Sequence, residues 1–249
     1  MPNQKREPRI DPLLEAHLLG TVPFDDAFAL QQRLVYEAGA GQAAAISLLV
    51  CEHPPVITLG RLGSRGHLRA TTAELASRQV ELRWVNRGGG AICHGHGQLA
   101  VYPIVPLAAF GWTIGGFLER FHHGLEGVLH DIGVGAHLER DRLSFFGRTG
   151  QLVHFGLAVK NWTTYFGAYI NVHPARDLAR LAQTDPEDRL AASSLMIERQ
   201  SAVKMASVRA AVIARLAESF ETPRHHVYSG HPLLSRSSRQ KHESTRRAV

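Results

Sequence analysis

The sequence predicts a single α/β (α+β) domain with a mixed central sheet flanked by helices. Apolar, strand-like runs cluster in the middle of the chain, and amphipathic helical patterns lie before, between and after them. No internal repeat or interior linker divides the 249 residues, and their composition, 44% hydrophobic and 20% charged, is that of a globular chain with a large core. We therefore expect one folded unit.

The first element is a predicted helix that starts at Asp25 and Asp26, where two carboxylates favour the positive end of the helix dipole. Its apolar residues recur every three or four positions, which gives one buried face. They are Ala27, Leu30, Leu34 and Ala38. Gly39 then provides an end to the helix.

Strands are predicted where short apolar or alternating runs are bounded by proline, glycine or polar residues. They cover residues 46–51, 56–59, 80–85, 99–105, 152–159 and 163–172. Asn161 lies between the last two runs, which together predict a hairpin. Three consecutive glycines follow Arg87 and indicate a backbone that turns tightly or that another group approaches closely.

Two further helices complete the predicted domain. A long amphipathic pattern covers residues 114–132 and ends at Gly133. Ser207 is the expected N-cap of the last helix, which has a periodic apolar face. That face consists of Val208, Val212, Leu216 and Phe220.

The net charge of +6 is concentrated at the C-terminal end, where residues 223–249 contain six Lys or Arg and one Glu. We expect this segment to be a basic, disordered tail, residues 1–19 to be an N-terminal extension, and residues 20–222 to form the domain. A basic arm that attracts an acidic partner is the alternative. Because the excess charge lies in the tail, no nucleic-acid partner is expected.

The two cysteines, Cys51 and Cys93, are too few for a disulfide framework, which favours a reduced, cytoplasmic setting. No run of 18 apolar residues exists, and the polar N-terminus lacks the apolar stretch of a secretory signal, so no membrane association is expected. The histidines and cysteines show no convincing zinc spacing, and we expect neither a metal nor a cofactor.

Four segments carry specific motifs. They read CEHPPVITLG at 51–60, RGGGAICHGHGQLAVYPIV at 87–105, QLVHFGLAVKNWTTYFGAYINV at 151–172, and SSLMIERQSAVKMASVR at 193–209. In this order and at this spacing, they resemble the lipoyl(octanoyl) transferase (lipoate-protein ligase B) family of the biotin/lipoate ligase superfamily. The resemblance covers residues 20–222 and implies a biotin/lipoate protein ligase-like fold.

The resemblance also implies a function. Such enzymes move an octanoyl (or lipoyl) group from acyl carrier protein to a lysine of lipoyl domains, in 2-oxoacid dehydrogenases or in the glycine cleavage H protein. The acyl group lies in a slot against a sheet, where backbone N–H groups of a glycine-rich edge can stabilise an oxyanion. The residues expected to line this slot are Arg87, Gly88, Gly89, Gly90, Ala91, Ile92, Cys93, His94, His154, Phe155, Gly156, Gly167, Ala168 and Tyr169.

The expected catalytic positions depart from the family. Its members use a thiolate to accept the acyl group and a nearby lysine to lower the thiol pKa. Counting from the segments on either side places Asp185 at the cysteine position and Gln151 at the lysine position, and Phe166 replaces a family histidine. Asp185 could act as a general base for direct transfer to the acceptor lysine, assisted by a hydrogen bond from Gln151. The alternative is that Asp185 belongs to a surface turn.

Cys93 is the other candidate nucleophile, because it lies inside the glycine-rich segment. Its neighbour His94 should point to the opposite face of the strand and is badly placed to activate it, so we expect Cys93 to fill space. Two alternatives to the transferase stay open. One is a catalytically silent homologue that binds an acyl group, a lipoyl group or a lipoyl domain; the other is an ATP-using ligase, against which Gln151 and the absence of a P-loop count.

Overall fold

The computed structural model describes residues 12–39, 45–183 and 192–234, whose regular elements include eleven strands, six α-helices and two short 3₁₀-helices, Arg65–His67 and Leu107–Phe110. The strands are β1 (Leu13–Thr21), β2 (Ala45–Glu52), β3 (Val56–Leu59), β4 (Glu81–Trp84), β5 (Ala91–His94), β6 (Gln98–Ile104), β7 (His137–Glu139), β8 (Ser144–Gly147), β9 (Gly150–Lys160), β10 (Thr163–Asn171) and β11 (Arg224–Ser229). The helices are α1 (Phe24–Gly39), α2 (Thr72–Ser77), α3 (Ile114–Asp131), α4 (Arg176–Ala179), α5 (Leu195–Arg199) and α6 (Met205–Ser219).

Eight strands form one mixed sheet in the order β11-β1-β2-β6-β10-β9-β8-β7. Strand β1 is parallel to both β2 and β11, whereas the other neighbours are antiparallel. The predicted mixed central sheet is therefore confirmed. A second, three-stranded sheet in the order β4-β3-β5 was not predicted separately, because its short strands have no pattern that shows which sheet they join.

Helices α3 and α6 cover one face of the large sheet. Phe117, Phe121 and Leu125 of α3 lie one turn apart and pack with Val212 and Leu216 of α6 into the same fully buried cluster. The opposite face is covered by α1 and by the small sheet, which meet it in a second apolar cluster. A third cluster lies between the small sheet, α2 and residues 181–182. No helix in the described ranges has the combination of length and hydropathy needed to cross a bilayer.

The predicted hairpin is confirmed as β9 and β10, which pair from Lys160↔Thr163 inward. Asn161 and Trp162 form its two-residue turn with φ values of 51° and 54°. Two left-handed residues in sequence are typical of the type I′ turn, whose twist matches that of the flanking strands. The hairpin places the two halves of the third motif segment, before and after the turn, side by side.

The expected boundaries need correction at both ends of the domain. Strand β1 starts at Leu13, inside the expected extension, and β11 pairs with it in parallel, so the expectation of disorder from residue 223 is wrong for 224–229. All six side chains of β11 are exposed, so the sequence shows no apolar alternation there. The strand is held by backbone pairing with β1 and by the Tyr228 ring, which stacks on His17 with centroids 5.1 Å apart. The last helix starts at Met205 rather than after Ser207. Residues 1–11 and 235–249 lie outside the described ranges.

Candidate functional site

The motif segments meet where the small sheet packs against β9. Strand β3 pairs with β5, which aligns Thr58 with Ile92 and Ile57 with Cys93. The glycine-rich loop at 87–90 enters this sheet and also contacts β9, because the Gly88 N–H donates to the carbonyl of Leu157 at 2.9 Å. Three segments that are far apart in the sequence are therefore joined by backbone hydrogen bonds.

Close packing explains the glycines of this loop and of β9. A Cβ atom on Gly156 would lie 2.6 Å from Cδ of Arg87, and one on Gly60 would collide with the carbonyl oxygen of Gly89. Gly89 itself has a φ of 79°, a conformation that residues with a side chain rarely adopt. The glycines thus let the Arg87 side chain lie flat against the backbone of β9.

Arg87 is fully buried, with no exposed surface. Its Nη2 donates to Oγ1 of Thr58 at 2.6 Å and to the Thr58 carbonyl at 2.9 Å, and its Nη1 donates to the Gly88 carbonyl at 2.9 Å. Burial lowers the pKa of the guanidinium, although arginine keeps its charge in proteins. The ring of Tyr169 lies below it, with a centroid 6.0 Å from Cζ.

The hydrogen bonds of Gln98 determine the tautomer of His94. Nε2 of Gln98 donates to the carbonyl of Cys93 at 3.0 Å, so its Oε1 faces Nδ1 of His94 and must accept from it at 2.9 Å. Burial holds the pKa of His94 well below its ordinary value, and electrostatic interactions with His53 and Arg87 lower it further. His94 is therefore neutral, and its Nε2 accepts from Oγ1 of Thr58 at 2.8 Å.

The side-chain amide of Gln98 also connects His94 to residues of β9 and β10. Nε2 of Gln98 also donates to Oδ1 of Asn171 at 2.9 Å, so Nδ2 of Asn171 faces Nε2 of His154 at 3.4 Å. We call the six connected residues the buried network: Arg87, Thr58, His94, Gln98, Asn171 and His154. Burial and the charge of Arg87 lower the pKa of His154 to about 3, so this imidazole is neutral too.

Alternation along β9 separates the expected lining residues. His154 and Gly156 face the small sheet, whereas the ring of Phe155 packs among the helix-side residues, with ring centroids 5.6 Å from Phe121 and 4.5 Å from His122. Ala168, which pairs with Phe155, lies in the same helix-side cluster. We expected Phe155 and Ala168 to line the site, but neighbouring residues of a strand point to opposite faces, and these two point away.

Gln151, at the family's lysine position, reaches the same face as His154 because of a β-bulge. The register of β8 and β9 shifts between Phe145 and Phe146, and Nε2 of Gln151 donates to Oγ of Ser144 at 2.5 Å. Ser144 pairs directly with His154. Gln151 also forms a bridge with Ala192, the first residue after a gap in the described ranges. Asp185 lies within that gap.

Neither cysteine has the properties of a reactive thiolate. Cys51 is fully buried, and burial followed by the charge of Glu52 raises the pKa of its thiol. Burial also raises the pKa of Cys93, to about 12. Cys93 packs with the apolar cluster of the small sheet, while His94 on the other face lies edge-to-face with Tyr169, with ring centroids 4.6 Å apart. The expectation that His94 points away from Cys93 is confirmed.

A small cavity of about 30 Å³ opens beside the end of the buried network. We call it the inner cavity. Gln98, His154 and Asn171 contribute its polar lining, and most of the remaining lining consists of alanines and Leu178. Thr58 and Asn171 are not among the site residues predicted from the sequence, although both lie within the motif segments. Their role depends on burial and on hydrogen bonds, which the sequence does not show.

Comparisons with known proteins identify the family of the chain. The family model of the lipoyl protein ligase A/B catalytic domain matches residues 23–217. An octanoyltransferase from Geotalea uraniireducens (strain Rf4) is 35% identical over 199 residues, covering 79% of this chain and 88% of the relative. An octanoyltransferase from Chloroflexus aurantiacus (strain ATCC 29366 / DSM 635 / J-10-fl) is 35% identical over 219 residues, covering 83% and 94%.

Solved structures show the same fold at lower identity. A bi-partite lipoate protein ligase from Thermoplasma acidophilum superposes with a TM-score of 0.66 at 15% identity, covering 92% of this chain and 91% of that one. Lipoate-protein ligase A bound with ATP gives a TM-score of 0.65 at 16% identity, covering 91% and 93%. With the family model matching most of its length, this chain belongs to the family of lipoyl protein ligase A/B catalytic domains.

Proposed function

We propose that this protein is an octanoyltransferase that moves an octanoyl group from acyl carrier protein to a lysine of lipoyl domains in protein lipoylation. The acceptors would be the lipoyl domains of 2-oxoacid dehydrogenases or the glycine cleavage H protein, in the cytoplasm. The observation that carries the proposal is the family match over residues 23–217, which includes every member of the buried network. The relatives named octanoyltransferase support the same reaction.

The acyl group would lie against the glycine-rich loop. Six of the expected lining residues converge on one region between the small sheet and β9. They are Arg87, Gly88, Gly89, His94, Gly156 and Tyr169. The glycines let the loop and β9 approach each other closely, and the Arg87 side chain fills the space beside Gly156. These residues are proposed as the substrate-binding surface.

We infer that the transfer is direct, without an acyl-enzyme thioester. Both cysteines of the chain have raised pKa values, and the thiolate, not the thiol, is the nucleophile. The acceptor ammonium would first give one proton to a base, for which Asp185 is our candidate. The neutral amine nitrogen then attacks the thioester carbonyl carbon. The C–N bond forms, the C–S bond breaks, and the second amine proton ends on the departing carrier thiol.

The test is acylation of an apo lipoyl domain by octanoyl-acyl carrier protein, followed by intact mass spectrometry of the acceptor. Wild type should acylate the acceptor. Gly156→Ala should reduce the rate at least about tenfold, because its Cβ would displace Arg87. Gly135→Ala is the matched control, since a Cβ there meets no heavy atom within 4 Å. Octanoyl-carrier binding without any acylated acceptor would overturn the proposal in favour of a silent homologue.

A further inference from the structure

Three exposed arginines from separate parts of the chain line one surface pocket of about 220 Å³. We call it the arginine pocket. Arg69 lies before α2, Arg78 follows the end of this helix, and Arg180 follows α4. The rest of the lining consists of Ala70, Glu74, Asp177 and Leu181. None of these residues belongs to the buried network or to the proposed substrate-binding surface.

Backbone hydrogen bonds hold the two halves of the arginine pocket together. The N–H groups of Arg69 and Ala70 both donate to the carbonyl of Leu181, at 2.9 and 3.2 Å. Leu68 forms a β-bridge with Ala182 next to them. The fold therefore fixes the backbone positions from which two of the three arginine side chains project.

The positive charges of the pocket are only partly balanced. Nη2 of Arg78 lies 3.1 Å from Oε1 of Glu74, one turn away, so these two side chains neutralise each other. Nη2 of Arg69 donates to Oε1 of Gln183 at 2.6 Å, but this amide is neutral and leaves the charge of the guanidinium in place. Arg180 makes no ion pair within 4 Å with a residue of the described ranges.

The arginine pocket has a net positive charge. Its three guanidinium groups, set against the carboxylates of Glu74 and Asp177, give a formal charge of +1. The chain around it is more basic, because residues 61–78 contain four arginines and one glutamate, a formal charge of +3. This face therefore attracts anions, and guanidinium groups suit phosphate in particular because each can donate two parallel hydrogen bonds to it.

The arginine pocket and the inner cavity are lined by alternate residues of one short segment. Leu178 and Ala182 line the inner cavity, whereas Arg180 and Leu181 line the arginine pocket. The helix α4 and the turn after it separate the two spaces, and a helix with its side chains is about 10 Å thick. A ligand with a negative group in the arginine pocket and a flexible chain longer than this thickness reaches the inner cavity.

The donor of the proposed reaction has both parts. The thioester of an acyl carrier protein stands at the end of a flexible phosphopantetheine arm, which is joined to the carrier through a phosphate diester. This phosphate stays negatively charged throughout the physiological pH range. A volume of about 220 Å³ holds it together with several waters, since one water takes about 30 Å³. The charge and the size of the phosphate group thus match the pocket.

We propose that the arginine pocket binds the phosphate group of the donor's arm, through the guanidinium groups of Arg69 and Arg180. The inference rests on the proposed function and assigns the place where the donor docks. The phosphate holds one end of the arm while the thioester at the other end lies beside the inner cavity. Arg69 and Arg180 are binding residues, so their removal should raise KM for the donor more than it lowers kcat.

The test compares two small donors that differ only in the phosphate, octanoyl-phosphopantetheine and octanoyl-pantetheine, with an apo lipoyl domain as acceptor. In wild type, kcat/KM should be at least about tenfold higher for the donor with the phosphate, mainly through a lower KM. In the Arg69→Ala/Arg180→Ala protein, the ratio of the two kcat/KM values should fall to about one. Arg33→Ala is the control, because it removes an exposed arginine of α1 and should keep the wild-type ratio.

Binding of the carrier itself gives a second readout, which needs no turnover. Calorimetry should show that holo-acyl carrier protein binds wild type at least about fivefold more tightly than the apo form, which lacks the arm. The double variant should lose this difference. Equal affinity of the two forms for wild type would overturn the proposal, as would a donor ratio that the variant keeps.

The two forms of the carrier also separate the arm from the rest of the carrier surface. If the double variant bound the apo form more weakly than wild type does, the arginines would contact the carrier's own carboxylates, and the phosphate assignment would be wrong. Wild type that binds the holo form selectively but acylates no acceptor would contradict the proposed function and leave the docking site in place.

Discussion

The two faces of β9 differ in what they contribute. On the helix side, Val153 and Phe155 are buried among apolar residues of α3 and the sheet. On the inner side, His154 joins the buried network and Gly156 yields its space to Arg87. One strand therefore supports the core with alternate residues and forms the candidate site with the others, which is a direct consequence of the two-residue period of a strand.

The comparison extends to two histidines of similar burial. His122 and His154 are 8% and 5% exposed, and burial is the first cause of the lowered pKa of each. His122 lies edge-on against Phe155 at 4.5 Å, whereas His154 faces the Asn171 amide, which Gln98 orients and which belongs to the buried network. Burial alone thus does not mark a functional histidine; its hydrogen-bond partners do.

The largest effect on stability is expected on the helix side. Phe155→Ala should lower the free energy of unfolding by about 3–4 kcal/mol, because it removes a buried ring and leaves a cavity. The activity of the molecules that stay folded at low temperature should be unchanged. Urea titrations and rates normalised to folded protein measure both quantities. A large loss of rate without loss of stability would place the Phe155 ring in the site instead.

The inner side of β9 is expected to make the stability of the protein depend on pH. His154 has a folded-state pKa of about 3, below its ordinary 6.5, so the unfolded chain binds a proton that the folded chain does not. Stability is therefore fully present above pH 6.5 and falls as the pH drops from 6.5 toward 3. At pH 5 the contribution lost at this one ring is about 2 kcal/mol.

The matched measurement is the pH dependence of unfolding in wild type and His154→Ala. Between pH 7 and pH 5, the variant should lose about 2 kcal/mol less stability than wild type. His53, with a folded-state pKa of about 4, keeps part of the slope in both proteins. Parallel curves would mean that His154 is not held neutral by burial.

A smaller effect on the free energy of unfolding is expected at the turn between β8 and β9. Burial would raise the pKa of Glu198, but hydrogen bonds from Thr149 and Arg148 outweigh it and lower the pKa to about 2. Its carboxylate accepts from the backbone N–H groups of Arg148 and Thr149 at 3.0 and 2.9 Å. Glu198→Gln should cost about 1–2 kcal/mol in thermal or urea unfolding. An unchanged stability would show that this turn does not need the carboxylate.

The smallest effect on the free energy of unfolding is expected at the exposed surface, away from both faces of β9. Arg33 and Glu37 form an exposed pair one turn apart on α1, at 2.6 Å. Arg33→Ala should change the free energy of unfolding by less than about 0.5 kcal/mol and leave the rate unchanged. This variant gives the baseline against which the other three effects are judged. A change above 1 kcal/mol would require a contact of Arg33 other than this pair.

Much of the fold follows from the sequence because its elements have strong local patterns. The periodic apolar residues of α1 and α3 and the β-branched runs of β9 and β10 each identify their own structure. Strand β11 has no such pattern, since its side chains are exposed, and it pairs with β1 mainly through backbone hydrogen bonds. Local sequence does not predict that kind of pairing.

The candidate site was predicted in part for a similar reason. Arg87, His94 and the glycines belong to a recognisable motif, and the structure brings them together. Asn171 acquires its significance only when β10 is paired with β6, which sets it opposite Gln98. The side to which Phe155 points depends on the strand register, which a motif does not contain.

The most direct test of the account is whether the reaction needs a thiol. A Cys51→Ala/Cys93→Ala protein contains no cysteine. We predict that it acylates an apo lipoyl domain from octanoyl-acyl carrier protein at a rate close to that of wild type, and that intact mass spectrometry finds no octanoyl adduct on either enzyme. An octanoyl adduct on the wild type, lost together with acceptor acylation in the cysteine-free protein, would contradict direct transfer.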